Sequence, residues 1–337
     1  MFKDYFKYYK RRNPPPELES VIDLSNSASE QVRKLPVQCA TQYETDKTIF
    51  GLKPINSWEI FELPHIPGLI FIRNPFTSSG QRYWITRCFK DYSRKPNKLN
   101  IDVHDVLGEK ETWWDVCTKG DRRAALLIPK LRWATFGYHH NWDTKHYTEE
   151  NKIEMPIEVE EITKVIAKAL GFDNFNAEAA IINFYRMNST LAGHVDHSED
   201  NLDAPLISVS FGQSAIFLIG GSKYEDPAHA LFIHSGDVVV MSGESRLRYH
   251  GIPRIVRACK TPWDDEELRD DVLVDSKDWC TAKSFISDAR ININVRRVLR
   301  PEQMTLTTCQ PRRTWFSSRI SIFSSAIFTL NLVNKFK

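Results

Sequence analysis

The sequence predicts an α+β protein in which a helical N-terminal half precedes a β core. The clearest predicted helix is the segment 158–170, where Val159, Ile162 and Ile166 recur at helical spacing and Gly171 supplies a stop. After it come short runs rich in Ile, Val and Phe, and such runs are typical of a β sandwich or barrel. The predicted strands are 180–185, 206–211, 215–219, 230–234, 237–241 and 290–298.

Length and composition are those of a folded protein with one large domain or two modest ones. Of the 337 residues, 42% are hydrophobic, and nine Trp and nineteen Phe exclude disorder for most of the chain. The 45 basic residues are nearly balanced by 43 acidic residues, which excludes a polybasic protein. Any nucleic-acid contact would therefore depend on local basic patches.

Six cysteines lie far apart with no C-x-x-C pair, which indicates reduced thiols and no zinc framework. No segment reaches the roughly 18 uninterrupted apolar residues of a membrane span, since the run 320–333 is interrupted by polar residues. The N-terminus lacks the apolar core of a secretory signal. We therefore expect an intracellular protein of the nucleus, cytoplasm or mitochondrion, without membrane association.

Two basic segments lie in the N-terminal half. The segment 1–12 carries five basic residues against one acid, interleaved with Phe and Tyr. It fits either an organelle-import segment or a basic helix that packs on the body. The second, from Arg82 to Lys98, has helical spacing around 83–89, and its charges form either a phosphate-binding face or a solvated helix face.

The triplet His194-Val195-Asp196 is the first sign of a metal site. On an extended chain, residues i and i+2 project from the same face, so His194 and Asp196 could hold one ion. A third ligand must come from elsewhere, and His250, which follows a predicted strand, is the preferred residue over His197 and His234. Two His and one carboxylate form the facial site of non-haem Fe(II) oxygenases.

The segment 290–296 predicts an anion site. Read as a strand, it carries Ile291, Ile293 and Val295 on one face. A guanidinium on the other face would pair bidentately with a carboxylate, which suits an organic acid as ligand. In isolation the same pattern also fits a solvent-facing edge strand. The polar face consists of Arg290, Asn292, Asn294 and Arg296.

Taken in order, these elements resemble the AlkB family of Fe(II)- and 2-oxoglutarate-dependent dioxygenases, in the branch of the first animal AlkB homologue. The resemblance covers about residues 20–300. It rests on Asn183-Phe184-Tyr185, His194-x-Asp196, His250 and Arg290-x-Asn292-x-Asn294-x-Arg296, with 131–138 also similar. Asn294 stands where bacterial members commonly have Thr.

The resemblance implies a double-stranded β-helix (jelly-roll) core and Fe(II), 2-oxoglutarate and O2 as cofactors. His194, Asp196 and His250 would bind Fe(II), and Arg290 would hold the distal carboxylate of 2-oxoglutarate. The implied reaction couples oxidative decarboxylation of 2-oxoglutarate to hydroxylation of a substrate C–H bond. The remaining cosubstrate residues would be Asn183, Tyr185, Asn292 and Arg296.

The resemblance also suggests an organisation of the chain. We predict a basic and helical N-terminal extension over residues 1–70 and a helical region with a substrate-covering lid over 71–157. The dioxygenase core would span 158–300. An atypical C-terminal tail would cover 301–337, a segment without a counterpart in the family.

The implied substrate is a methylated base in nucleic acid. A base buried in a duplex cannot reach a recessed metal, so it must be unpaired or flipped. Trp133 and Tyr138, in the lid segment 133–142, are the expected stacking residues. Phosphates would contact the Arg82–Lys98 segment and the arginines 246, 248, 254 and 257.

Among nucleic acids, tRNA carrying N1-methyladenine or 5-methylcytosine is favoured, and DNA carrying N6-methyladenine is possible. A monomer is expected. The alternatives are a dioxygenase of a protein side chain such as histone methyl-lysine, a catalytically silent nucleic-acid-binding module, and a zinc hydrolase.

Overall fold

Two antiparallel sheets form the framework of the protein. The computed structural model describes residues 1–24, 32–38, 49–265 and 273–306, and all of these belong to a single unit that ends at Leu306. The predicted tail from 307 onward lies outside the described residues. So do the apolar run 320–333, Cys39 and Cys309.

Among the described residues, the larger sheet has nine strands. The strand Ala289–Arg296 lies in its interior and pairs with the strand Leu206–Gly212 on one side and with Ala179–Arg186 on the other. The strands, in their order across the sheet, are β1 (Arg33–Leu35), β2 (Glu59–Glu62), β3 (Leu69–Arg73), β11 (Val238–Met241), β8 (Leu206–Gly212), β13 (Ala289–Arg296), β6 (Ala179–Arg186), β5 (Trp133–Gly137) and β4 (Lys98–Leu99).

The smaller sheet has four strands and faces the larger one. Phe217, Ile219 and Ile252 of the smaller sheet pack against Tyr185 and Val239 of the larger one. This packing of two antiparallel sheets confirms the expected α+β fold with a double-stranded β-helix core. The strands, in order, are β10 (His229–Ile233), β9 (Ser214–Ile219), β12 (His250–Val256) and β7 (Leu191–His194).

Helices cover the outer face of the larger sheet. Ile162 and Ile166 of α5 belong to the same buried cluster as Ile182 and Ile293 of the sheet. The helix α5 begins and ends one residue before its predicted bounds, and Gly171 has φ +83°, the left-handed conformation that ends many helices. The helices are α1 (Phe2–Lys10), α2 (Ser78–Lys90), α3 (Trp113–Cys117), α4 (Arg122–Leu127), α5 (Ile157–Ala169) and α6 (Ser276–Ile286).

The helix α1 packs on the outer face of the smaller sheet. Phe2 is fully buried and lies in one cluster with Ile216 and Leu218 of β9. The aromatic residues of the basic opening segment thus provide a packing face, in agreement with the second of its two interpretations.

The N-terminal half contributes strands as well as helices. The strand β3 pairs with β11, and β5 pairs with β6, so segments far apart in sequence share the larger sheet. The proposed divisions at 70/71 and 157/158 are therefore not boundaries between separate sheets, and β3 runs across the first. Among the described helices, none is long and apolar enough to cross a bilayer. Cys88, Cys117, Cys259 and Cys280 are free thiols.

Candidate active site

His194 and His250 face one another across two neighbouring strands of the smaller sheet. His194 is the last residue of β7, His250 is the first residue of β12, and the two form a register pair. Their ring centroids are 4.3 Å apart. Cross-strand neighbours on one face lie close enough for their side chains to share one ligand.

Each histidine is oriented by its own backbone. The Nδ1 of His194 lies 2.9 Å from the carbonyl oxygen of Ala192, and the Nδ1 of His250 lies 3.1 Å from that of Arg248. A carbonyl oxygen can only accept, so each ring carries its proton on Nδ1. In each histidine Nε2 is therefore the ring nitrogen that remains available to a metal.

Asp196 completes a group of three donors. The ligand atoms of His194, Asp196 and His250 all lie within 4.8 Å of one another, and no other such group occurs among the described residues. Arg296 donates to Oδ1 of Asp196 at 2.9 Å. The other oxygen, Oδ2, is buried, has no hydrogen-bond partner within the described part of the chain, and lies 3.5 Å from the Nε2 of His250.

The electrostatics of the cluster suit a divalent cation. Burial, and then the neighbouring His250, lowers the pKa of His194 to about 4, so its ring is neutral at pH 7. Burial alone would raise the pKa of Asp196, but Arg296, followed by His250, holds it well below its usual value. The neutral ring of His194, the ionised carboxylate of Asp196 and the imidazole of His250 thus form a donor set that fits the Fe(II) that the sequence pattern implied.

Arg290 forms the centre of an anion site. It is only 1% exposed, and its Nη2 donates to Ser210 Oγ at 2.8 Å. Its Nε and Nη1, like the hydroxyl of Tyr185, are buried with no partner among the described residues. The guanidinium lies 5.2 Å from the ring centroid of Tyr185. Unpaired buried donors cost stability, and a carboxylate would satisfy them bidentately, so these residues fit the distal carboxylate of 2-oxoglutarate.

The other expected cosubstrate residues are brought together by strand register. Asn292 pairs with Asn183 on one side and Ser210 on the other, and Trp133 pairs with Asn183. These side chains form one row across β5, β6, β13 and β8. The amide nitrogen of Asn292 donates to Ser208 Oγ at 2.7 Å, so Asn292 is anchored within the sheet.

Arg296 lies at the opposite end of β13 from Arg290. Besides its bond to Asp196, its Nε is 3.3 Å from a carboxylate oxygen of Glu199. The structure thus places Arg296 beside the metal cluster, where it orients Asp196. The family resemblance had implied that Arg296 lines the cosubstrate site.

A buried network behind Asp196 was not predicted. Glu199 receives hydrogen bonds from Arg246 at 2.8 Å and from the Tyr147 hydroxyl at 3.0 Å. Arg246, which is 1% exposed, also donates to the backbone oxygen of Asp196 at 2.6 Å. A lone Glu in a polar loop looks solvated in the sequence, so no pattern indicated this role.

The lid segment presents a group of aromatic rings. Trp133 is half-buried, with its ring centroid 5.7 Å from that of Trp142, and Trp142 is 45% exposed. His140 packs against Trp142 at 4.7 Å and contacts Ser198 Oγ through its Nε2 at 3.0 Å. Trp142 and His140 were not among the expected stacking residues, although both lie in the lid segment.

Tyr138 occupies a different position from the one expected. It is 1% exposed, belongs to a buried cluster with Tyr147 and Val298, and donates its hydroxyl to Glu149 at 2.5 Å. A ring without a free face cannot stack on a base, so its burial argues against the predicted stacking role. Trp133 keeps an accessible part and remains a prediction.

Most of the expected phosphate-binding cations are engaged within the protein. Arg82 is buried and donates to backbone oxygens of Trp263 and Asp265, while Arg87 and Lys90 form ion pairs with Glu158 and Asp278. Arg246 is buried in the network described above. Glu158 and Asp278 therefore offset the charges of Arg87 and Lys90, while the guanidinium of Arg82 is held by backbone oxygens inside the protein.

The competing histidines lie outside the metal cluster. His197 is exposed, and its Nδ1 contacts the oxygen of Val195. His234 contacts Ser214 Oγ and a carboxylate oxygen of Asp23.

Comparison with known proteins agrees with this geometry. The model of the 2OG-Fe(II) oxygenase superfamily matches residues 68–296. The chain is 38% identical over 326 residues to the nucleic acid dioxygenase ALKBH1 of Mus musculus, covering 88% of this chain and 84% of the relative. It is 32% identical over 257 residues to the tRNA demethylase abh1 of Schizosaccharomyces pombe, covering 71% and 82%. It is 30% identical over 276 residues to the DNA N(6)-methyladenine demethylase ALKBH1A of Arabidopsis thaliana, covering 72% and 79%.

The superfamily is defined by Fe(II) and 2-oxoglutarate. The described residues contain a His-Asp-His cluster and a buried arginine with two unpaired nitrogens, which suit the metal and the cosubstrate. The expected cofactors Fe(II), 2-oxoglutarate and O2 are thereby confirmed. This chain belongs to the AlkB family of 2-oxoglutarate- and Fe(II)-dependent dioxygenases, in the branch of the first animal AlkB homologue.

Proposed function

We propose that this dioxygenase oxidises methyl groups on bases of nucleic acid, with tRNA as the favoured substrate and DNA as a second one. The observation that carries the proposal is the His194–Asp196–His250 cluster, in a fold that also buries the guanidinium of Arg290 with two nitrogens lacking a hydrogen-bond partner among the described residues. The names of the relatives reported above state that those proteins act on nucleic acid, which supports this substrate class. The proposed bases are N1-methyladenine and 5-methylcytosine in tRNA and N6-methyladenine in DNA.

In this proposal His194, Asp196 and His250 hold the Fe(II). Three protein donors leave coordination positions open for a cosubstrate and for oxygen. With 2-oxoglutarate and O2, the bound metal supplies the oxidising chemistry. Arg296 and the Nδ1–H bonds of the two histidines keep the three donor atoms in place before the metal arrives.

Arg290 and Tyr185 hold the distal carboxylate of 2-oxoglutarate. Nε and Nη1 of the guanidinium are buried and have no hydrogen-bond partner among the described residues, so a carboxylate placed there would form two charge-assisted hydrogen bonds. The Tyr185 hydroxyl adds a third donor. Asn183 and Asn292 form the wall between this carboxylate and the lid, as their position in one row across the sheet indicates.

The aromatic lid receives the base. An unpaired base can stack on Trp133, Trp142 and His140, and each such contact contributes about 1–3 kcal/mol. Since a looped-out base needs little unpairing energy, structured RNA is preferred to duplex DNA. All ligand and anion-binding residues come from one chain, so we propose that a monomer suffices. We also propose that the protein acts inside the cell.

Nucleoside analysis of tRNA tests the proposal. Bulk tRNA is incubated with the protein, Fe(II) and 2-oxoglutarate, and its nucleosides are compared with those after incubation with the Asp196→Ala variant. We expect N1-methyladenine to fall or 5-methylcytosine to become oxidised with the wild-type protein alone. DNA with N6-methyladenine and a methyl-lysine histone peptide are parallel substrates. Succinate release with unchanged nucleosides, or demethylation of the peptide alone, would contradict the proposal.

A further inference from the structure

A basic groove lies on the smaller sheet, away from the metal cluster. It has a volume of about 580 Å³. Its walls are the end of α1 with the residues that follow it, the turn between β6 and β7, and the second half of β12. The residues that define its charge are Lys10, Arg12, Arg254 and Arg257.

The positive charge of the groove is not balanced by acidic residues among the described residues that line it. Lys10, Arg12 and Arg254 take part in no ion pair within the described ranges, and the side chains of Lys10 and Arg12 are exposed. Only Arg257 has a carboxylate nearby, since its Nη2 lies 3.3 Å from Asp288.

Arg254 brings these charges together. Its Nε donates to the backbone oxygen of Tyr9 at 2.8 Å, and its Nη2 donates to that of Arg11. Because both acceptors are neutral, the charge of Arg254 persists beside Arg12, and burial followed by this neighbour lowers the pKa of Arg254. Like charges held together in this way favour an anionic ligand between them.

The position of the groove suits an extended polyanion. It lies at the opposite end of β7 and β12 from His194 and His250, and Arg254 is four residues further along the strand than His250. At roughly 3.3 Å per residue this is about 13 Å, the axial length of about four nucleotides in a stacked strand. A ligand that reaches both places must therefore be much longer than a single nucleotide.

We propose that this groove binds the phosphodiester backbone of the nucleic-acid substrate, at nucleotides or a helical arm distant from the base being oxidised. The inference rests on the proposed function and adds a second contact region to it. Lys10, Arg12, Arg254 and Arg257 neutralise phosphates, while Asn188 and Thr190 in the β6–β7 turn supply uncharged donors. The groove thus favours long, structured substrates without reading their sequence.

The double variant Lys10→Gln/Arg12→Gln tests the groove. Both side chains are exposed, so we expect its thermal unfolding temperature to match that of the wild type. The matched control is Lys110→Gln/Lys164→Gln, which removes the same charge from exposed residues that do not line the groove. Arg254 is left intact because it ties α1 to β12.

Binding is measured with full-length tRNA over a range of salt concentrations. The groove variant should bind on the order of tenfold or more weakly than the control at about 0.1 M salt, and its salt slope should be smaller by about 1.5–2. The reason is that two phosphate contacts and their released counterions are lost. Turnover of a five-nucleotide methylated oligonucleotide should fall less than twofold.

The outcomes separate this inference from the proposed function. In one outcome, the groove variant and the control bind tRNA with equal affinity while the wild type still oxidises the short oligonucleotide. That result would overturn only the proposal that the groove binds nucleic acid. Absence of base oxidation by the wild type on every nucleic acid would overturn the proposed function itself. Selective loss of binding to phosphatidylserine vesicles, with tRNA binding retained, would also refute the groove as a nucleic-acid site.

Discussion

Arg296 binds one oxygen of Asp196 at 2.9 Å, while the other oxygen of the same carboxylate is buried and has no hydrogen-bond partner among the residues that the structure describes. The two oxygens therefore have different tasks. One fixes the side chain, and the other remains available to a cation beside the Nε2 of His250. Such division of a carboxylate between an orienting partner and a metal is the usual arrangement of a metal centre with outer hydrogen bonds.

Loss of the Asp196 charge should abolish metal binding. In Asp196→Asn the side chain keeps its volume but offers no anionic ligand, so affinity for Mn(II), used as a redox-stable probe, should fall more than about a hundredfold. Calorimetric titration without substrate measures this directly. His197→Gln is the matched control, because His197 is exposed and lies outside the cluster. Retained Mn(II) affinity in Asp196→Asn would remove Asp196 from the ligand set.

Loss of Arg290 should weaken the binding of 2-oxoglutarate and leave the binding of the metal unchanged. Removing one partner of a buried charge pair costs about 2–5 kcal/mol, so the KM for 2-oxoglutarate should rise by roughly thirtyfold or more in Arg290→Ala. Mn(II) affinity without 2-oxoglutarate should change little, since Arg290 contacts Ser210 and not the ligands. Arg297→Ala, at the first position after the end of β13, is the control. A KM equal to that of the control would exclude Arg290 from the cosubstrate site.

Glu199 should affect the metal site through its neighbours. Glu199→Gln leaves the buried Arg246 and Arg296 without their shared counter-ion, so the free energy of unfolding should fall by about 3–5 kcal/mol. Because Arg296 orients Asp196, Mn(II) affinity should also fall about 10–100-fold. Chemical denaturation and metal titration are compared with those of Asp200→Asn, the exposed neighbour. A purely structural role would lower stability and leave metal affinity unchanged.

Trp133 and Tyr138 should behave differently as substrate residues. Trp133→Ala removes a half-buried ring in the lid. The binding free energy for a methylated oligonucleotide should therefore become less favourable by about 1–3 kcal/mol. Tyr138→Phe loses only the bond to Glu149 inside the protein, so its oligonucleotide affinity should stay within twofold of the wild type. Fluorescence anisotropy measures both affinities. A larger loss in Tyr138→Phe would mean that Tyr138 becomes exposed when substrate binds.

His139 should make the protein sensitive to acid. Its ring is 4% exposed and hydrogen-bonded to Thr135 Oγ1 at 2.7 Å, and burial, followed by Lys98, lowers its pKa to about 4. The folded pKa lies below the usual 6.5, so its stabilising contribution is complete above pH 6.5 and is lost as the pH falls toward 4. The free energy of unfolding of the wild type should decline by about 2 kcal/mol more than that of His139→Gln over this range. Parallel pH curves from denaturant titrations would contradict this assignment.

The sequence predicts correctly the residues whose positions follow from the regular alternation of faces along a strand. Ile291, Ile293 and Val295 are buried on one side of β13 and Arg290 and Asn292 on the other, because alternation along a strand fixes both faces. His194 and Asp196 were found by the same rule. The predicted strands agree with the observed ones to within two residues.

Contacts between distant segments could not be predicted in this way. The role of Glu199 depends on Arg246 and Tyr147, each about 50 residues away along the chain, and no local pattern links them. The burial of Tyr138 could not be predicted for the same reason, since Glu149 and Val298, which lie on other segments of the chain, pack against it. The charges of Arg87 and Lys90 looked free because Glu158 and Asp278, which pair with them, lie far away in sequence.

Phe2 determines how the N-terminus of this protein can be handled. A Cβ atom at Gly193 would lie 2.4 Å from the Phe2 ring, so the first helix rests directly against the residue before His194. A version that begins after residue 10 would leave this surface bare and weaken the support behind the metal ligand. Recombinant forms intended for metal titration should therefore keep the first helix intact and carry purification tags elsewhere.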